Sequence, residues 1–489
     1  MIQQIDAPLR EDVRLLGNLL GETLKEHAGQ DLFNQVEQIR ALSKGARDGQ
    51  VEAEKQLEQL FFSLEDDEIL PLTRAFTHFL NFANIAEQYH VVRNRRQAEF
   101  DEHAPNPNPL SHLFEKFKTE QINQKQLFQQ ICDLKIELVL TAHPTEVSRR
   151  TLIQKYDGIN ECLFKADQQK LTPRERKAIL EELKQLICSA WQTDEIRQHR
   201  PTPVDEAKWG FTTIEQTLWY SIPQFLREFD EVVFAHTGQH LPLTHAPIRF
   251  ASWMGGDRDG NPNVTHQVTQ EVLLLSRWQA AELYWRDIDA LRAELSMEDC
   301  TPAVRAMVGE QCREPYRELL REVRDRLGLT RDVINARLRG ESVDDSGIYR
   351  CVEDLLQPLL LCHESLVACN MQAIADDELT NIIRRIACFG LELLKLDIRQ
   401  ESGRHTEVLE AITQYLQLDS YLAKNEAQRQ AFLLAELANP RPLLPRQLHA
   451  PADAAILSAT VQEALATFRT IAQQPSPAMG AYVISMAKQ

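Results

Sequence analysis

No two of the nine cysteines stand in a C-x-x-C pair, and they follow no regular spacing. That disfavours both a zinc site and a secreted disulfide framework. Most lie on helix-like apolar faces, Cys362 and Cys369 among them, and read as small buried hydrophobes. No apolar run reaches the roughly 18–20 residues that a membrane span requires. The opening Met1-Ile2-Gln3-Gln4-Ile5-Asp6 lacks a basic stretch followed by an apolar one, so no signal peptide is expected. Basic residues are in deficit, with 54 Lys and Arg against 72 Asp and Glu and a formal net charge of −18. This argues against a duplex-binding protein, whose affinity rests on cationic side chains neutralising phosphates. Any small anionic substrate approaches against the global field, so a local arginine cluster would have to overcome it. The expectation is a soluble, cytoplasmic chain with neither a membrane nor a nucleic acid as partner.

What is present is mostly helical periodicity. The 489 residues allow two or three domains or one large architecture. A hydrophobic content of 43% and a charged content of 26% are ordinary for a globular protein. Val13, Leu16, Leu20 and Leu24 recur at three- and four-residue spacing, as do Tyr284, Ile288, Leu291 and Leu295. From Ser63 to His90 the pattern opens on a cap-like Ser63-Leu64-Glu65-Asp66 and places Phe76, Phe79, Ala83 and Ala86 on one face. Proline-rich stretches at 104–109 and 439–445 read as surface loops. No internal repeat of fixed period is found.

Four short apolar runs break this background: Ile136–Leu140, Ile248–Ser252, Leu393–Ile398 and Ala481–Ser485. Three lead directly into polar or glycine-rich residues. Such runs suit buried parallel strands, although periodicity alone does not exclude a buried helical turn. Strands separated by long helical stretches point to βα units, with working residues at the strand C-terminal ends.

Three segments carry candidate chemistry. In Thr141-Ala142-His143-Pro144-Thr145-Glu146, followed by Arg149-Arg150, a helix beginning near Pro144 would aim backbone N–H groups toward an anion site. His143 there suits proton transfer, since an imidazole titrates near neutrality; a capped turn with a satisfied histidine is about equally compatible. In Ser252-Trp253-Met254-Gly255-Gly256-Asp257-Arg258-Asp259-Gly260-Asn261-Pro262, paired glycines permit a sharp turn or close approach. Asp257, Arg258 and Asp259 form either a loop-bracing ion network or a substrate clamp. It is not a dinucleotide fingerprint, because the G-x-G-x-x-G spacing is absent. In Leu396-Asp397-Ile398-Arg399-Gln400-Glu401, Arg399 at a strand end could bind a phosphate or carboxylate in bidentate geometry. An interdomain or surface ion pair is the commoner role for a lone arginine.

Together these runs resemble the phosphoenolpyruvate carboxylases of the bacterial and plant type. Leu80–His90, Asp194–Arg197, Arg200–Ala207 and Ala481–Lys488 also look like that family, so the likeness extends over essentially the whole chain. It implies an eight-stranded parallel β/α barrel wrapped in helices, usually tetrameric, of which this chain would hold the first four strands. Residues 1–135 would form an N-terminal helical region, and 136–489 the first half of the barrel with helical insertions. The implied reaction joins phosphoenolpyruvate and bicarbonate, with Mg2+ or Mn2+, to give oxaloacetate and inorganic phosphate. His143 matches the family's catalytic base and Arg399 an arginine that holds the phosphoryl group. Trp253 matches a residue of the apolar wall around carbon dioxide, and Arg258 is a further candidate substrate contact.

The family continues for roughly as long again beyond the point matched by Gln489. The acidic metal ligands, a catalytic lysine and further phosphate-binding arginines are expected there, with no metal ligand in this chain. Alone, the chain is therefore expected to be incomplete and inactive. The segment Gln4–Arg10 echoes a regulatory phosphorylation site of plant enzymes but contains no serine. Two other classes stay open. A phosphohistidine transferase should carry a nucleotide- or partner-binding module, and no G-x-x-x-x-G-K-[ST] appears. The other is a non-catalytic helical interaction protein.

Overall fold

The computed structural model describes residues 6–100, 109–141, 150–168, 170–194, 201–444 and 457–487. The chain divides into two compact units. One comprises Met1–His112 and Ser148–His199, the other Leu113–Val147 and Arg200–Gln489.

The first unit is helical. Helix Ala7–His27 buries Leu16, Leu20 and Leu24, as their spacing predicts. These pack with Phe82, Ala86, Leu163, Leu183 and Ile187 from helices Asp66–Phe100, Arg150–Ala166 and Pro173–Gln192. Helix Pro173–Gln192 begins on a reciprocal cap: Thr172 Oγ1 accepts from Glu175 N at 3.2 Å, and Glu175 Oε2 accepts from Thr172 N at 2.8 Å. Helix Asp66–Phe100 departs from expectation in two ways. Ser63 Oγ donates back to Leu60 O, and the carboxylate of Glu68 takes the Glu65 N–H instead. Its buried stripe runs Leu72, Ala75, Phe82, Ala86 and Tyr89, while Phe76, Phe79 and Ala83 sit at the margin. The same face carries a buried charge, Arg93, which donates to Asp12 at 2.8 Å and Asp167 at 3.1 Å. Tyr89 Oη adds a bond to Asp167 at 2.9 Å.

The second unit holds the sheet. Its strands β1 (Ile136–Leu140), β2 (Ile248–Ser252), β3 (Lys395–Glu401) and β4 (Met479–Ser485) pair in that order, all parallel. Sequence reading placed the first two as observed. It began the third at Leu393, but Leu393 takes a left-handed φ of +60° and extended pairing starts at Lys395. It also ended that strand at Ile398, whereas Arg399, Gln400 and Glu401 still pair with Val483, Ile484 and Ser485. Each crossover between parallel strands needs a long connection, and helices supply them.

The core of this unit joins Phe250, Leu396 and Ile398 of the sheet to Trp219, Tyr284, Ile288 and Leu320 of the helices. Within it Arg385 donates to Asp287 at 2.8 Å, and Trp219 Nε1 donates to the same carboxylate at 2.9 Å. Burial pushes the Asp287 carboxyl up to about 6, with Arg385 acting in the opposite sense. The outer strands are bare by comparison. On β1 Ile136, Leu138 and Val139 are 46%, 47% and 41% exposed, and on β4 Ile484 is 51% exposed. Among the described residues no helix is long and apolar enough to cross a membrane.

Candidate active site

The end of β2 turns sharply. Ser252 Oγ accepts from Met254 N at 3.1 Å, and Trp253 O accepts from both Gly256 N at 2.9 Å and Asp257 N at 3.0 Å. After this turn the chain rejoins the sheet as one further rung. Arg399 N donates to Gly256 O at 3.0 Å and Arg258 N donates to Arg399 O at 2.9 Å. So close an approach requires glycine: a Cβ on Gly256 would lie 1.9 Å from the carbonyl oxygen of Asp397.

That rung brings two of the candidate residues together. Arg399 Nε donates to Asp257 Oδ1 at 2.8 Å, and its Nη2 lies 3.5 Å from Asp259 Oδ2. The guanidinium lies over the Trp253 ring, 4.9 Å from its centroid, a cation–π distance. The Asp257 hydrogen bond raises the Arg399 pKa further, so the side chain is firmly cationic, and it remains 27% exposed. Open donors on a fixed guanidinium make a place for an anion.

Trp253 is fixed from its other edge. Its Nε1 donates to Asp397 Oδ2 at 3.1 Å, while Asp397 Oδ1 accepts from Ala481 N at 2.7 Å. Asp397 is buried and so ties the β2 turn to β4 through a single carboxylate. Gly480 makes room for it, since a Cβ there would lie 2.0 Å from Asp397 Oδ1. Sequence reasoning missed this residue. The signal was an acid flanked by Leu396 and Ile398, a polar group forced into a buried strand that must find donors.

Arg258 has a different geometry. Its guanidinium is buried and folded into its own loop, donating to Gly256 O at 3.0 Å and to Thr269 Oγ1 at 2.6 Å. Thr269 Oγ1 in turn donates to Gly255 O at 2.8 Å. Burial lowers the Arg258 pKa, against the raising influence of Glu463, Tyr482 and Asp257. The placement braces the glycine turn. His143 lies outside the described residues, three positions beyond the end of β1, and so does Arg149. The neighbourhood of β1 is nevertheless tied to the site, because Trp253 N faces Leu140 O at 3.4 Å.

The carboxylates here do not fit a divalent cation by themselves. Asp257 and Asp259 are committed to Arg399, and Asp397 to Trp253 and Ala481. No group of three or more His, Cys, Asp or Glu among the described residues is placed to hold a metal ion.

A family model described as phosphoenolpyruvate carboxylase matches residues 9–489. The chain belongs to the phosphoenolpyruvate carboxylase family. It is 67% identical over 488 residues to the Phosphoenolpyruvate carboxylase of Acinetobacter baylyi, covering 100% of this chain and 55% of that protein. The Phosphoenolpyruvate carboxylase of Acinetobacter baumannii is 66% identical with the same coverage. That of Pseudomonas aeruginosa is 53% identical over 491 residues, covering 99% of this chain and 54% of its own. The chain thus spans about half the length of the curated relatives it matches. The mostly helical architecture with a four-stranded parallel sheet is consistent with a partial barrel.

Proposed function

We propose that this chain supplies one half of a carboxylase that joins phosphoenolpyruvate and bicarbonate to give oxaloacetate and inorganic phosphate. The observation that carries the proposal is the Arg399 guanidinium, held by Asp257 over the face of Trp253 at the C-terminal ends of β2 and β3. Ligands of parallel α/β proteins gather at that end.

The reaction divides into three steps. A bicarbonate oxygen attacks phosphorus, the bond from phosphorus to the enol oxygen breaks, and carboxyphosphate and the enolate of pyruvate result. Arg399 steadies the charge that moves onto the transferred phosphoryl oxygens, and its fixed orientation removes the cost of arranging it at that moment. Carboxyphosphate then gives its proton to His143, and its carbon–oxygen bond to phosphate breaks, releasing carbon dioxide and inorganic phosphate. Finally the enolate carbon attacks carbon dioxide. Trp253 presents an apolar face there, and keeping water away protects an enolate that a proton would quench. Arg258 and Asp397 act through Trp253 and the glycine turn, as positioning residues.

Mg2+ or Mn2+ is expected from the family, with ligands in the portion of the relatives that this chain does not span. Assembly as a homotetramer is likewise proposed for a protein of that full length. The test is His143→Asn in a full-length context, assaying oxaloacetate beside phosphate and pyruvate. Oxaloacetate should vanish while some phosphoenolpyruvate cleavage persists, because bicarbonate attack depends on Arg399 and not on the later proton removal. Undiminished oxaloacetate would remove His143 from the mechanism.

A further inference from the structure

A polar cavity of about 690 Å³ lies elsewhere in the same unit, away from Trp253 and Arg399. Its walls include Glu392, just before β3, and Gln473, at the end of the helix that leads into β4. It therefore stands at the strand starts, whereas Trp253 and Arg399 stand at the strand ends. The seven residues of β3 separate the two sites by on the order of 20 Å. The volume falls within the range of about 300–1,000 Å³ typical of small-molecule sites.

Its chemistry is uneven. The Glu392 side chain is 10% exposed, and the nearest cation, Arg277 Nη1, is 3.8 Å away, beyond hydrogen-bonding reach. No hydrogen bond to its carboxyl oxygens is found among the described residues. Arg277 cannot close the gap freely, because its Nη2 donates to Tyr349 O. The Glu392 main chain is held in place, since its carbonyl accepts from Ser276 Oγ at 2.6 Å. Burial raises the Glu392 pKa, with Arg277 acting in the opposite direction. A buried carboxyl short of donors is costly and is usually satisfied in some other way.

A different part of the wall is rich in donors. Arg337 and Arg350 both converge on Asp345, Arg350 Nη2 meeting Asp345 Oδ1 at 2.9 Å and Arg337 Nη2 taking Oδ2. Each uses one terminal nitrogen for that carboxylate, and a guanidinium carries five N–H donors in all. Glu341 does not cancel this charge, since Arg339 pairs with it at 2.7 Å. Near Glu392 the wall thus holds a carboxyl that accepts no hydrogen bond among the described residues, beside the Arg277 guanidinium, and the other part has donors and positive charge to spare.

We propose that this cavity binds a small zwitterion, its primary ammonium on Glu392 and its carboxylate on Arg337 and Arg350. The site is independent of the carboxylase reading, because none of its residues touches Trp253 or Arg399.

The experiment titrates the 489-residue chain calorimetrically with glycine, β-alanine and 4-aminobutyrate, three spacings of the same two charges. Acetate, ethylamine and glycine betaine are the controls, the last carrying a positive nitrogen with no N–H. At least one amino acid should bind, and the controls should bind roughly tenfold or more weakly, the worth of one charge-assisted hydrogen bond. Glu392→Gln and Arg350→Ala should each lose about the same factor. Arg350 is 63% exposed, so its removal leaves the fold intact and decides the matter even if the Glu392 variant fails to fold. Absence of binding by all three amino acids at millimolar concentration would overturn the proposal. So would acetate binding as tightly as the amino acids, or Arg350→Ala binding as the wild type does.

Discussion

Replacing Gly256 by alanine is the sharpest available test of how the site is held. The added Cβ would lie 1.9 Å from Asp397 O, where real contacts essentially never fall below 3.0 Å, so the β2 turn and β3 must part by about 1.1 Å. The atom in the way is backbone, and no rotamer change relieves it. Three hydrogen bonds stand at risk: Arg399 N to Gly256 O at 3.0 Å, Arg258 N to Arg399 O at 2.9 Å, and Arg258 Nη1 to Gly256 O at 3.0 Å. At about 0.5–1.5 kcal/mol each, with about 1–3 kcal/mol for overpacking, the loss should be about 2.5–7.5 kcal/mol. Gly260→Ala provides the contrast. Its φ is +72° but nothing lies within 4 Å of its Cβ position, so only backbone strain of about 1 kcal/mol is expected. Urea denaturation followed by tryptophan fluorescence would measure both, at one protein concentration so that association does not shift the comparison. If Gly256→Ala costs no more than Gly260→Ala, the close approach of the turn to β3 is wrong.

Asp287 supplies a pH test. Its folded pKa of about 6 stands above the ordinary 3.8, so the folded chain binds more protons between those values, and stability falls as pH rises through that window. Relative to Asp287→Asn, the wild type should lose on the order of 2–3 kcal/mol between about pH 4 and pH 7; a flat difference in denaturation midpoints would refute it. Arg93→Ala, which strands Asp12 and Asp167, should cost about 3 kcal/mol in the same assay, and a loss below half of that would show the network to be dispensable. The chain alone should form no oxaloacetate with magnesium or manganese, and activity should appear on adding the remaining length of a relative such as the A. baylyi protein. Turnover by the chain alone would mean that the phosphoryl group can be activated by residues already present.

Legibility in the sequence followed apolar composition, in strands buried or not. Ile136–Leu140 is apolar except for Glu137 and Ile248–Ser252 except for Arg249 and Ser252, and their limits could be read directly. The third strand could not be bounded, because Arg399, Gln400 and Glu401 are polar and still paired, while Leu393 is apolar and left-handed. Hydrophobicity reports which side chains are buried and is blind to which backbone is extended. Arg399 and Trp253 stood out by residue type and position. Asp397 did not, since its role exists only when the β2 turn and β4 are both beside it. For Arg258 the residue type was visible but its direction was not, because Thr269 and the carbonyls that capture it become neighbours only once the glycine turn has formed.

The bare flanks of the sheet also have a duration. During synthesis of a protein as long as the relatives, the 488 matched residues are 55% of the whole, so about 400 more must follow. At about 5–20 residues per second, the ribosome needs roughly 20–80 s to make them. Through that interval Ile136, Leu138 and Val139 on one side, and Ile484 on the other, would stand beside unpaired backbone on an emerging chain. Helices and hairpins form in microseconds, so four finished strands would wait a very long time for the next. In a protein of that length, a sheet begun in this order places a demand on the cell as well as on the sequence: those strands would need shielding for tens of seconds, and depletion of holding factors should reduce the yield of such a protein before it affects proteins whose sheets close within a single short domain.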